Sequence, residues 1–153
     1  MPFLSDLKDF GYTPYLRKGR IVRGKMVLTD DLVWKDPATD KVYTAPKGFV
    51  SDGNSRPFLA AWLIKKFGSG QRADWLHDWL FKVQETGPED GKVSGKLWAD
   101  YQYLLAMGVD RTPDTVKWAS WSGVAVGGWI SWLRPDDLLV VDLETMEPLP
   151  DVV

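Results

Sequence analysis

The spacing of apolar residues along the chain changes period about a third of the way in. In RIVRGKMVL (20–28) and DDLVWKD (30–36) the residues Ile21, Met26, Leu28, Leu32 and Trp34 are interleaved with polar ones. Such interleaving places one set of side chains on one face of a strand. The segment Pro37-Ala38-Thr39-Asp40 separates the second run from KVYTAP and supplies a hairpin connection. An antiparallel meander ending at Pro46-Lys47-Gly48 is therefore predicted. Beyond it the apolar residues recur at three- and four-residue steps, the signature of helices. RPFLAAWLIKKFG (56–68) is a predicted helix with Ser55 placed to cap it, Pro57 in its first turn and Gly68 as its stop. QRADWLHDWLFKVQ (71–84) is a second, with Trp75, Leu76, Trp79 and Leu80 as the buried stripe. A third runs from Ser94 to Gly108, and a fourth from Thr112 through Leu133, with Thr112 as cap and Pro113 at the first helical position.

These elements predict an α+β fold, in which a small N-terminal antiparallel meander precedes a bundle of about four helices. Residues 1–135 form a single domain in this reading. Residues 136–153, rich in acids and prolines, form a C-terminal extension, either a final strand or an arm docking on another subunit. Removing it is expected to leave the domain folded.

With 153 residues, 44% hydrophobic content and nine Trp, the chain has ample material for one compact core. A net charge of −2 leaves no overall basic excess, so nucleic acid is not an expected partner. One local exception is the basic group Arg17, Lys18, Arg20, Arg23 and Lys25. The absence of Cys excludes disulfides, thiolate nucleophiles and cysteine-ligated zinc. The opening MPFLSDLKDFGY carries acids and no long apolar run, so no signal peptide is expected and synthesis is placed in the cytoplasm. The uncharged run Trp118–Leu133 has 16 residues, several of them Gly and Ser, whereas a membrane span takes about 20. A membrane partner is therefore not expected, and close packing against a neighbouring helix is. Trp118, Trp121, Trp129 and Trp132 along this run are candidate interface anchors as well as core residues.

The candidate chemistry centres on the single histidine, His77. Asp74 and Asp78 share a helix face near it, and Asp100 is a charge beside an apolar stripe, where a buried acid needs donors, a cation or a metal. The loop GFVSDGNSRP (48–57) contributes Asp52, Gly53 and Ser55 just before a helix N-terminus, where a negative charge is already favoured. Folding of that loop over the helices would unite Asp52, His77, Asp78 and Asp100. Such a cluster could hold a divalent ion such as zinc or manganese, whose water could act as a hydrolytic nucleophile. It could instead serve metal-free hydrolysis, with Ser55 as nucleophile, His77 as base and Asp78 or Asp52 as orienting acid, though Ser55 lacks a nucleophile elbow. A third outcome is a satisfied polar network that pins the loop to the helices.

Three stretches carry a resemblance. APKGFVSDGNSRP has Pro46, Gly48, Phe49, Asp52, Gly53, Ser55 and Pro57; RADWLHDWLF has His77 and Asp78; LWADYQYLLAMGV has Ala99, Asp100, Ala106 and Met107. Their order and spacing over about residues 20 to 130 resemble the domain of unknown function 1353 (DUF1353), with its P-x-G-F-x-T-D-G-A-S-x-P segment, its His-Asp pair and its A-D-x-x-F-x-x-A-M helix. The chain departs from that pattern in Ser51 for Thr, in Asn54-Ser55-Arg56 for Ala-Ser-Ile, and in its wealth of Trp. The resemblance implies a protein encoded by a bacteriophage or prophage, from the structural or lysis-related part of the genome, without an established reaction.

The favoured expectation is a virion structural or assembly component of tail, baseplate or neck, located in the virion in a multimeric assembly with other phage structural proteins. Enzymatic activity is not the leading expectation. The alternatives are a metal-dependent hydrolase of the cell envelope and a membrane- or host-interacting factor using the Trp-rich helix.

Overall fold

The computed structural model describes residues 11–51, 71–84, 92–135 and 137–150, and the fold is α+β as expected. The helix predicted over 56–68 and the loop residues Asp52, Gly53 and Ser55 lie outside the described residues. Two compact units divide the chain. Strands up to Ser51 group with the segment from Leu138 onward, and the helices between them form the other unit.

The strand unit opens with an unforeseen element, β1 (Tyr12–Arg17), paired antiparallel with β2 (Arg20–Leu28). Their two-residue link, Lys18-Gly19, has both φ angles positive, at 50° and 73°. Positive φ at both central residues matches the right-handed twist of the two strands, which is why such links favour Gly. Pro14 opposes Met26 while Leu16 opposes Ile21, so Val22 to Lys25 bulge out of the ladder, with Gly24 at φ 77°. β5 (Val50–Ser51) lies on the far edge of β2, against Met26 and Val27 only, giving the order β1-β2-β5.

The predicted hairpin at residues 37–40 is present between β3 (Leu32–Lys35) and β4 (Val42–Ala45). Buried Asp36 organises it. Its carboxylate accepts from Ala38 N at 3.0 Å and Thr39 Oγ1 at 2.5 Å, and its own N–H donates to Lys41 O at 2.8 Å. Leu32, Trp34, Tyr43 and Ala45 alternate into the interior, as the two-residue period requires.

Residues 138–150 return to these strands. Val50 N donates to Leu139 O and Val141 N to Gly48 O, each at 2.9 Å, and Val141 joins Tyr15, Val27 and Val50 in one buried cluster. A turn at 142–146 folds the segment back so that Leu149 N reaches Val140 O at 2.8 Å. The N–H groups of Thr145 and Glu144 on the Asp142 carboxylate hold its pKa below the ordinary 3.8. Gly48 allows this closure. It sits at φ 86°, and a Cβ there would lie 2.1 Å from the Val141 carbonyl oxygen.

The helical unit contains α1 (Gln71–Val83), α2 (Lys92–Val109), α3 (Asp114–Gly127) and α4 (Trp129–Leu133). Three details differ from expectation. α2 begins two residues before Ser94. Pro113, not Thr112, occupies the N-cap position of α3, with no side-chain cap bond. Thr112 belongs instead to the link from α2, its N–H donating to Met107 O at 3.0 Å. The helix predicted through Leu133 is interrupted at Gly128, which separates α3 from α4. No described helix is long and apolar enough to cross a membrane.

Two polar ties hold α1 at its ends. Arg72 places Nε and Nη2 on Asp110 Oδ1 at 2.8 and 2.6 Å, joining the start of α1 to the residue after α2. Gln84 Nε2 donates to Trp132 O at 2.6 Å, satisfying a carbonyl at the end of α4.

Gly48→Ala is expected to destabilise the strand unit by about 2 kcal/mol or more, combining left-handed strain with the clash at Val141. Truncation after Pro135 should cost more, because it removes Val141 from the cluster. Urea unfolding followed by tyrosine and tryptophan fluorescence measures both.

Candidate functional site

Every residue from Trp75 to Phe81 is buried, so α1 is enclosed on all sides rather than on one stripe. That enclosure carries His77 into the interior, with its ring centroid 4.2 Å from Phe81 and 4.6 Å from Tyr103. The imidazole finds its acid on the next helix. Nε2 lies 2.9 Å from Asp100 Oδ1, and since an ionised carboxylate only accepts, this contact puts the ring proton on Nε2. The sequence placed Asp74 one turn from His77, but Asp74 Oδ1 accepts the Tyr103 hydroxyl at 2.8 Å.

The other oxygen of Asp100 accepts from Lys96 Nζ at 2.5 Å, one helical turn earlier on α2. Both side chains are almost wholly buried. The same ammonium donates to Val124 O at 2.9 Å and to Ala125 O at 3.3 Å. Those carbonyls belong to the last turn of α3, where the dipole presents its negative end, and Val124 O accepts the Gly128 N–H at 2.9 Å as well as the ammonium. A cation is well placed there. Its nitrogen also lies 4.8 Å from the Trp129 ring centroid and 5.7 Å from that of Phe81, within cation–π range. Gly128 leaves space for this arrangement, since a Cβ there would come within 3.3 Å of both Lys96 Cε and Phe81 Cε2.

Of the predicted site residues, His77 and Asp100 are therefore brought together, and Asp52, Gly53 and Ser55 lie outside the described residues. Asp78 is buried on α1, with Oδ2 4.0 Å from Lys82 Nζ. Among the four tryptophans considered as interface anchors, Trp132 is wholly buried and stacks edge-on against Phe81, with centroids 5.2 Å apart. That position makes it a core residue. Trp118 is exposed, in edge contact with Trp121, and Trp129 lies beneath the ammonium.

Lys96 was not anticipated from the sequence. The available signal was its four-residue spacing from Asp100, the helical distance at which opposite charges meet. Lys96 also changes the chemistry. The cation that a buried Asp100 requires is supplied by the chain's own ammonium, and the His77 nitrogen facing Asp100 is a donor rather than a free lone pair. A divalent ion at Asp100 would meet the Lys96 charge, and Asp52, the ligand expected from the loop, lies outside the described residues. Among the described residues there is no group of three or more His, Cys, Asp or Glu arranged to hold a metal.

The fold and this network define a small α+β protein whose helices meet at a buried Lys–Asp–His cluster. The chain belongs to the DUF1353 family, described as "Protein of unknown function (DUF1353)", which it matches over residues 26–124. The matched span includes His77, Lys96, Asp100 and Val124, and excludes the Lys18-Gly19 turn and the returning segment from Leu138. No curated protein and no solved structure matches the chain.

Removing one member of a buried ion pair leaves its partner's charge uncompensated. Asp100→Ala is therefore expected to cost about 3–5 kcal/mol in unfolding free energy. Lys96→Met with Asp100→Leu, which removes both charges, should cost markedly less than Asp100→Ala alone. Denaturant melts of the two variants provide the comparison, and equal losses would contradict a charge-pair role.

Proposed function

We propose that this protein is a non-enzymatic structural or assembly component of a bacteriophage particle, in the tail, baseplate or neck, where its helical unit docks on neighbouring subunits. The observation that carries this reading is the outward face of α3 and α4. Val126, Ile130 and Leu133 are 82%, 76% and 59% exposed, on an uncharged stretch whose Val124 and Trp132 are buried. Val126 lies in the last turn of α3, and Ile130 and Leu133, three residues apart, share a side of α4. Large apolar side chains exposed close together in the chain are of the kind found at contact sites. Trp118, half exposed on α3, adds an aromatic group of the type that anchors interfaces. The buried Lys–Asp–His cluster supports the same reading by holding the helices that carry this face. Phage origin rests on the motif resemblance, and a multimeric setting in the virion follows from both.

Val126→Glu with Ile130→Glu tests the reading. Both sites are exposed, so the helical circular dichroism should be retained. The wild type is expected in purified particles of the phage or prophage that encodes it, and the variant is expected to be lost from them, as read by immunoblot. Wild type missing from particles, or variant incorporated as well as wild type, would count against assembly.

A second reading, a hydrolase of the cell envelope, is favoured by one observation, the 2.9 Å contact of His77 with Asp100. It requires substrate to reach an imidazole that is 1% exposed. Clearing in a peptidoglycan zymogram by the wild type but not by His77→Gln would support it, and the assembly reading predicts clearing by neither.

A further inference from the structure

The charge of this chain is distributed very unevenly. It carries 19 Lys and Arg against 21 Asp and Glu, yet residues 17–25 hold five of the cations and no acid, leaving 14 against 21 elsewhere. Arg17, Lys18, Arg20, Arg23 and Lys25 all lie at the outer end of the β1–β2 hairpin, beyond the rung that pairs Pro14 with Met26. All five are exposed. None makes a side-chain hydrogen bond, ion pair or ring contact with another described residue.

The backbone concentrates these charges further. Arg17 and Arg20 are directly opposed across the ladder, flanking Lys18-Gly19, and the bulge from Val22 to Lys25 puts Arg23 and Lys25 on either side of Gly24. Rungs are about 3.4 Å apart, so the group spans little more than the screening length of about 8 Å at physiological salt. Like charges opposed on a strand pair repel. An external polyanion would relieve that repulsion.

We propose that the β1–β2 hairpin is a contact for the phosphate backbone of duplex nucleic acid. Among the described residues a third strand pairs with β2 only at Met26 and Val27, so the outer hairpin is a two-stranded ribbon, a shape that the major groove of a duplex admits. Three of the five cations are Arg, whose forked donors match phosphate oxygens. The exposed apolar residue at this end, Ile21, gives too little area for a lipid interface, which takes a whole amphipathic face. The chain-wide charge that argued against nucleic acid averages away this segregation. The proposal is independent of the assembly reading, and the hairpin end lies outside the family-matched span.

The test is fluorescence anisotropy of the full chain with a labelled duplex DNA of about 25 base pairs and arbitrary sequence, from about 50 to about 200 mM NaCl. Binding is expected at the lowest salt, with log K falling against log salt at a slope of about −3 to −4.5, as for up to five neutralised phosphates. Arg20→Ala with Arg23→Ala should make the slope shallower by about 2, while Arg20→Lys with Arg23→Lys should keep it. No binding at about 50 mM NaCl would overturn the proposal. So would a slope unchanged in the double alanine variant, or binding to phosphatidylserine vesicles that the duplex does not displace.

Discussion

The helical unit depends on burying the Lys96 ammonium. A cation removed from water is tolerable only where acceptors replace its hydration, and three oxygens do so here, from the Asp100 carboxylate, Val124 and Ala125. Each comes with a structural condition. Asp100 must hold its second oxygen toward His77 on α1, α3 must bring the carbonyls of its last turn to the ammonium, and Gly128 must carry no side chain. One nitrogen thereby fixes the relative placement of α1, α2 and α3, with the Trp129 ring of α4 closing the shell. Directional contacts of this kind specify one arrangement of helices where apolar packing alone would tolerate several.

The strand unit is specified by shape instead. Its cluster of Tyr15, Val27, Val50 and Val141 is small, and closure depends on the close approach of two backbones at Gly48 and Val141. In the motif containing Gly48, the glycine thus has a mechanical explanation. It allows a passing strand to hydrogen-bond at a distance that a methyl group would block.

Legibility from sequence followed the range of the interaction. The hairpin at residues 37–40 was readable because Asp36 organises it within a few residues. Helices 71–84 and 94–108 were readable from periodicity, and so was the candidacy of His77 and Asp100, since one histidine and an acid beside an apolar stripe each need a partner. β1 was not read from the sequence; it contains Pro14, a residue that sheets tolerate on an edge strand, and β1 is at the end of the order β1-β2-β5. Lys96 was missed because lysine ordinarily belongs to the surface, and its burial depends on where a helix begun 18 residues later comes to an end. The break at Gly128 has the same origin. The glycine pair there was read for close packing, which Gly128 provides, while the interruption depends on tertiary surroundings.

The route of the chain through the strand unit has a consequence for biosynthesis. The ribosome delivers β1 to β5 first, but the place that Val141 fills stays vacant until some 90 further residues have emerged. The helices between are complete by Leu133, before that residue appears. The apolar cluster of the strand unit can therefore be completed only after the described helices have been synthesised. For that interval the early strands stand with an unfilled apolar seat, the stage at which a chaperone has something to hold.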